Sequence, residues 1–160
     1  MISFDCLGWI VAFILQVVLL GKNLYTLIQL EDLKMDKINP WDCATRVNRF
    51  LELENLAAAL LAAELVLSRK WFSAIIHCGA AGYLAYLFVG RKLNMQAADA
   101  FKQVDDLRKR RFEFFIFHCG SFLFITFRFL ESVIHTVLTP EGRIAAKKLF
   151  NEAVVSIHGV

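Results

Sequence analysis

His-Cys-Gly occurs twice in this chain, at His77–Gly79 and His118–Gly120. Histidine beside cysteine is a pairing from which zinc and copper sites are built. Both tripeptides fall inside apolar runs of helical length. Neighbouring residues on a helix diverge by roughly 100°, so each tripeptide can aim only one ligand at a common point. Two ligands make a poor site. The depths are also expected to differ, with His77 about six residues from one end of its run and His118 about six from the opposite end of its own. The favoured reading is packing, with Gly79 and Gly120 letting helices approach closely. No metal and no cofactor is expected.

Charged residues inside apolar runs are the next candidates. Glu64 and Arg128 fall at nearly the same depth when counted from one side, and an ionisable group inside a membrane usually finds a partner. A structural ion pair between them is expected, with snorkelling or recognition of a client as alternatives. Glu131, three residues beyond Arg128 on the same helical face, is a rival partner. The run Arg108–Arg111 reads as charge that sets topology beside a helix, with a phospholipid patch or a retrieval signal as alternatives. No nucleophile–base pair, glycine-rich phosphate loop or paired-carboxylate motif appears, so no catalytic residue is assigned and no enzyme is expected.

These residues need elements to hold them, and composition says which. The chain of 160 residues is 58% hydrophobic, with a mean hydropathy of +0.52. Four apolar segments run over about Cys6–Leu30, Phe50–Ser68, Trp71–Gly90 and Phe112–Leu138, each reaching or approaching the roughly 20 helical residues that cross a bilayer. The fold class expected is an all-α integral membrane protein with four transmembrane helices. Its domain covers residues 1–138, and 139–160 form a tail. In that tail Ile144, Leu149, Phe150 and Val154 suggest an interfacial helix over Arg143–Val155, or a frayed end. The first segment has no basic flank or small-residue cleavage site and is not read as a cleavable signal. Four cysteines without paired spacing do not make a disulfide framework. A net charge of only +3 gives no global support for nucleic-acid binding.

Basic residues orient the bundle. The stretches 30–49 and 91–111, read as loops, hold eleven of the eighteen, against five in the segments 69–70 and 143–148. The positive-inside rule makes those two stretches cytosolic and both termini lumenal or extracellular. Lys22 and Arg128 are left within the apolar runs, where both could snorkel.

One polar stretch carries more detail than a loop needs: LEDLKMDKINPWDCATRVN, Leu30–Asn48. It resembles the signature that follows the first helix in the cornichon family, in its plant-like branch. The matching residues are Asp32-Leu33, Asp36, Ile38-Asn39-Pro40 and Asn48, followed by Glu54. The resemblance continues at Trp71-Phe72 and from Asp99 to Phe112, and covers about residues 1–136. Leu53 stands where the family has proline before Glu54, and His77-Cys78-Gly79 where it has an Asn-x-Pro. The resemblance implies a cargo receptor that binds membrane-protein clients, channels or transporters, in the endoplasmic reticulum membrane and loads them into COPII vesicles for the Golgi. An auxiliary subunit of a channel or transporter is the alternative, and a small membrane transporter a weaker one. The resemblance also implies coat binding at Ala100-Phe101-Lys102-Gln103-Val104. It places client contact at Leu65-Val66-Leu67-Ser68, and at Ile2, Phe4 and Leu7. The partners implied are therefore cargo, the COPII coat and the lipid bilayer.

Overall fold

The computed structural model describes residues 2–138 and, in the tail, residues 144, 147, 148 and 151; the side chains at 2–5 and 137 are outside that description. Those four tail residues are helical and exposed, and the rest of the expected tail helix lies outside the described residues. The described chain is helical: α1 (Ile2–Lys34), α2 (Pro40–Arg49), α3 (Leu51–Leu67), α4 (Trp71–Val89), a short 3₁₀ turn (Ala97–Asp99) and α5 (Ala100–Leu138). By length and composition α1, α4 and α5 are able to cross a membrane. With 17 residues, α3 rises only about 26 Å, slightly short of a bilayer core.

Two stretches read as loops are substantially helical. Within 30–49, α1 runs on to Lys34 and α2 fills Pro40–Arg49. Within 91–111, α5 begins at Ala100, twelve residues before its apolar run. An apolar run marks only the part of a helix suited to hydrocarbon. It does not mark the amphipathic turns that continue beyond it.

α1 and α5 pack together through matching seams. On α1 the buried seam runs Trp9, Ala12, Gln16, Leu19, Asn23, Thr26, Leu30 and Leu33, alternating three and four apart, with Gly8 and Gln29 buried beside it. On α5 they are Ala100, Val104, Leu107, Arg111, Phe114, His118 and Ile125. This is the heptad spacing of knobs-into-holes packing. The polar residues lie inside, while Ile14, Val17, Leu24 and Ile28 of α1 and Ile116, Leu123 and Phe127 of α5 face out. Such an inversion suits hydrocarbon rather than water. α3 packs on α1 and α4 on α3, giving the order α5–α1–α3–α4.

A second, smaller core caps one end. Asn39 caps α2, its Oδ1 accepting from Trp41 N at 3.0 Å, and Pro40 opens the helix with its φ preset. The buried face of α2, Cys43, Ala44 and Val47, packs on Leu30, Leu33, Met95, Ala100, Val104 and Leu107. Asn48 staples this cap: its Nδ2 donates to Met95 O at 2.8 Å, and Met95 N donates to its Oδ1 at 2.9 Å. Three helices end alike. Asp36, Arg69 and Arg91 adopt left-handed φ of 59°, 54° and 52°. The following amides of Lys37, Lys70 and Lys92 donate back to Asp32, Leu65 and Leu87 carbonyls. This is the Schellman stop, made here without glycine.

The cap generates two expectations. Asn48→Ala removes both staple bonds and should cost about 1–3 kcal/mol, read as a lower melting temperature in detergent. Burial pushes the Cys43 thiol up to about 11, so at neutral pH it stays protonated. Alkylation of Cys43 by iodoacetamide should therefore be slow in the folded protein and become fast on denaturation.

Candidate functional site: a buried carboxylate and the surfaces around it

Glu54 sits in the first turn of α3, one turn after the single-residue joint at Phe50 swings the chain away from α2. Its side chain has no exposure, and two other helices, α1 and α5, supply its partners. Arg111 of α5, also with none, brings Nη1 to 2.6 Å from Oε1 and 2.8 Å from Oε2. Lys22 of α1, 8% exposed, donates to Oε2. Asn23 Nδ2 reaches Oε1 at 3.4 Å and Leu19 O at 3.1 Å. Two cations thus meet one carboxylate away from water. Arg111 Nε and Nη2 find no hydrogen-bond partner among the described residues. Two expectations are corrected here. Lys22 does not snorkel, and Arg111 is not part of a solvated charge run but occupies the α5 seam. An available carboxylate outweighs the solvation either cation would recover by reaching outward.

Deeper along α1, Gln16 Nε2 donates to His118 O at 2.9 Å and to His118 Nδ1 at 3.2 Å. His77 Nδ1 bonds Ser73 O at 2.9 Å, and its Nε2 has no hydrogen-bond partner among the described residues. Contrary to the depth count, His77 and His118 line one small cavity of about 10 Å³, with Leu19, Ala58, Leu61 and Leu84. The count failed because α5 begins well before its apolar run, so His118 lies deeper than assumed. Among the described residues no three His, Cys, Asp or Glu side chains gather as metal ligands. Gly79 and Gly120 do not mediate close packing: a Cβ at either would meet nothing within 4 Å.

Close approach is at Gly8 instead, where a Cβ would fall 2.7 Å from both Glu64 Oε1 and Ser68 Oγ and 2.8 Å from Lys70 Nζ. Ser68 Oγ donates to Glu64 Oε1 at 2.6 Å, and Lys70 Nζ lies 3.5 Å from it. The expected Glu64–Arg128 ion pair does not form. Glu64 is served by the Ser68–Lys70 turn at the end of its own helix, while Arg128 pairs with its rival Glu131. Trp9 lies beside both cations, its ring 4.0 Å from Lys70 Nζ and 5.7 Å from Arg128 Cζ. Their attraction to its face fixes this end of α1.

A family profile described as Cornichon protein matches residues 6–127. The chain belongs to the cornichon family. It is 28% identical over 132 residues to protein cornichon homolog 2 of Oryza sativa subsp. japonica, covering 82% of this chain and 89% of that one. Protein cornichon homolog 1 of the same plant is 29% identical over 133 residues, covering 83% and 96%. Protein cornichon homolog 3 of Arabidopsis thaliana is 30% identical over 103 residues, covering 64% and 75%. No solved structure matches.

The cornichon signature has structural work throughout. Leu33 is core, Asp36 makes the left-handed turn, and Asp32 supplies its closing carbonyl and lies 4.0 Å from Lys37. Asn39 and Pro40 start α2, Asn48 staples the cap, and Glu54 gathers the buried charges. The segments expected to meet partners split by helical face. Ala100 and Val104 are core. Phe101 is 57% exposed, Lys102 is exposed beside Asp99, and Gln103 Oε1 accepts from Gln96 N. Leu65 is fully buried against the main core, whereas Leu67 is 83% exposed and Val66 and Leu7 are exposed. Ser68 is engaged with Glu64. Ile2 and Phe4 lie on α1, with side chains outside the described residues. Sequence reasoning missed Lys22, Asn23 and Arg111 as one network. The signal was the α5 spacing 100, 104, 107, 111, 114, 118, which places an arginine in a seam that is apolar on both sides of it, at Leu107 and Phe114.

Glu54→Ala leaves Arg111 and Lys22 buried without a counter-charge and should cost about 3–5 kcal/mol, lost chiefly as detergent-stable monomer and melting temperature. Arg128→Gln breaks an exposed ion pair and the 5.7 Å contact with the Trp9 ring and should change stability by only about 0.5–2 kcal/mol. Similar losses for the two variants would contradict this assignment.

Proposed function

We propose that this cornichon-family chain is a cargo receptor. On this reading it binds membrane-protein clients in the endoplasmic reticulum membrane and loads them into COPII vesicles bound for the Golgi. The observation that carries it is the division of the exposed surface. A broad apolar belt on α1, α3, α4 and α5 offers area for helix contact in lipid, and one polar cap presents Phe101 and Lys102 to water. An adaptor between a membrane client and a soluble coat needs both. In this proposal α3 crosses with α1, α4 and α5, making four spans, and the excess of basic residues puts the α2 cap in the cytosol and both termini in the lumen.

The split of each segment by face narrows the residues. Coat contact falls to Phe101 and Lys102, since Ala100 and Val104 are core. Client contact falls to Val66, Leu67 and Leu7, since Leu65→Ala would open a core cavity costing about 2–5 kcal/mol.

Replacing Phe101 and Lys102 together with alanine should leave the melting temperature unchanged and hold the protein in the endoplasmic reticulum. Normal packaging into vesicles made with purified COPII would overturn the coat assignment. Changing Leu7, Val66 and Leu67 to alanine should leave packaging intact while client co-purification falls several-fold. A reporter fused after Val160 should be protected from protease in sealed microsomes, and its digestion would reverse the topology.

A further inference from the structure

One pair of neighbouring helices does not close. No Cα of α4 lies within 8 Å of one in α5 among the described residues. Three ring pairs bridge them, Phe72 with Phe124, His77 with Phe117, and Tyr83 with Phe114, at centroid distances of 5.7–6.1 Å. Between them runs an apolar groove of about 420 Å³, walled by Ile75, Gly79, Ala80 and Tyr83 on one side and Phe114 and Phe117 on the other. At its floor Gly79 leaves open space where a side chain would stand.

The end of the groove toward the α2 cap is charged. Glu113 lines it. Arg110 lies one turn before Glu113 and Phe114 on the same helical face, toward the cap. Lys92 Nζ donates to Tyr86 Oη at 3.0 Å and stands 4.6 Å from that ring's centroid. Neither Lys92 nor Arg110 forms a salt bridge among the described residues. A slot that suits hydrocarbon therefore carries one carboxylate in its lining, with two cations that form no salt bridge among the described residues beyond it toward the cap.

We propose that the α4–α5 groove binds one acidic glycerophospholipid, with an acyl chain between Gly79 and Phe117, its phosphate on Lys92 and Arg110, and a headgroup amine or hydroxyl donating to Glu113. Size favours a lipid over a protein helix: a helix about 10 Å across fills such a volume with roughly one turn, too little to seat it. Charge complementarity selects the acidic class, because a zwitterionic lipid brings no net charge to answer two cations.

The test uses the full chain reconstituted in vesicles of mixed phosphatidylserine and phosphatidylcholine and released for native mass spectrometry. One phosphatidylserine should stay with each chain. Lys92→Gln and Arg110→Gln should each lower its retention about fivefold. Gly79→Leu should also expel it, with no change in melting temperature. Equal retention of phosphatidylcholine, or no effect of the two charge variants, would overturn the site, and that result stands whether or not Gly79→Leu folds. Soluble glycerophosphoserine competing as well as the whole lipid would mean that the apolar slot is unused, and would also overturn it. Loss of a co-purifying membrane protein on Gly79→Leu, with lipid retention unchanged, would replace the lipid by a partner helix.

Discussion

Helices in hydrocarbon gain little by hiding apolar faces from one another, so something else must set their depth and rotation. In this chain it is the carboxylate of Glu54. Withdrawn from water, it must be met by donors at short range, and those donors come from α1 and α5. Moving α5 by one turn would carry Arg111 about 5 Å from its partner, and turning α1 would take Lys22 and Asn23 away together. The register of three helices is thereby tied to one group. The apolar seams around it, Leu19, Leu61, Phe114 and Ile125 among them, then fill in at ordinary packing density.

The cap depends on that register in turn. α5 enters the main core through Arg111 and Phe114, and the same helix face reaches the second core through Leu107, Val104 and Ala100. With α5 held at Glu54, the 3₁₀ turn and Met95 fall where Asn48 can grip both groups of one peptide backbone. The polar signature between α1 and α3 is therefore a set of backbone devices: a helix stop, a helix start and a staple. They shape the surface that displays Phe101 and Lys102.

Much of this was legible in the residues. Four helical runs, the cornichon signature and the Arg128–Glu131 alternative were all available from spacing and motif. What failed did so for definite reasons. Hydropathy marks lipid contact, so it stopped α5 at Phe112 although the helix starts at Ala100. Counting depth from those false ends separated His77 from His118. Glu64 and Arg128 do both lie beside the Gly8–Trp9 end of α1, and fail to pair because each has a partner nearer on its own helix or turn. Reading Arg108–Arg111 as a block hid that successive residues point 100° apart, so that three of the four can be solvated while the last is buried. Gly79 was noticed for the right property and the wrong consequence, since it leaves a space rather than closing one.

The spacing of the buried charges along the chain also bears on how the protein is made. Lys22 and Glu54 are 32 residues apart, and Arg111 follows Glu54 by a further 57. Emerging from the ribosome in that order, α1 and α3 can neutralise each other as soon as both are inserted, and α5 arrives carrying the surplus cation. A nascent chain halted before α5 thus holds a balanced pair with one face of the carboxylate open. The guanidinium that closes that face is also what aligns α5.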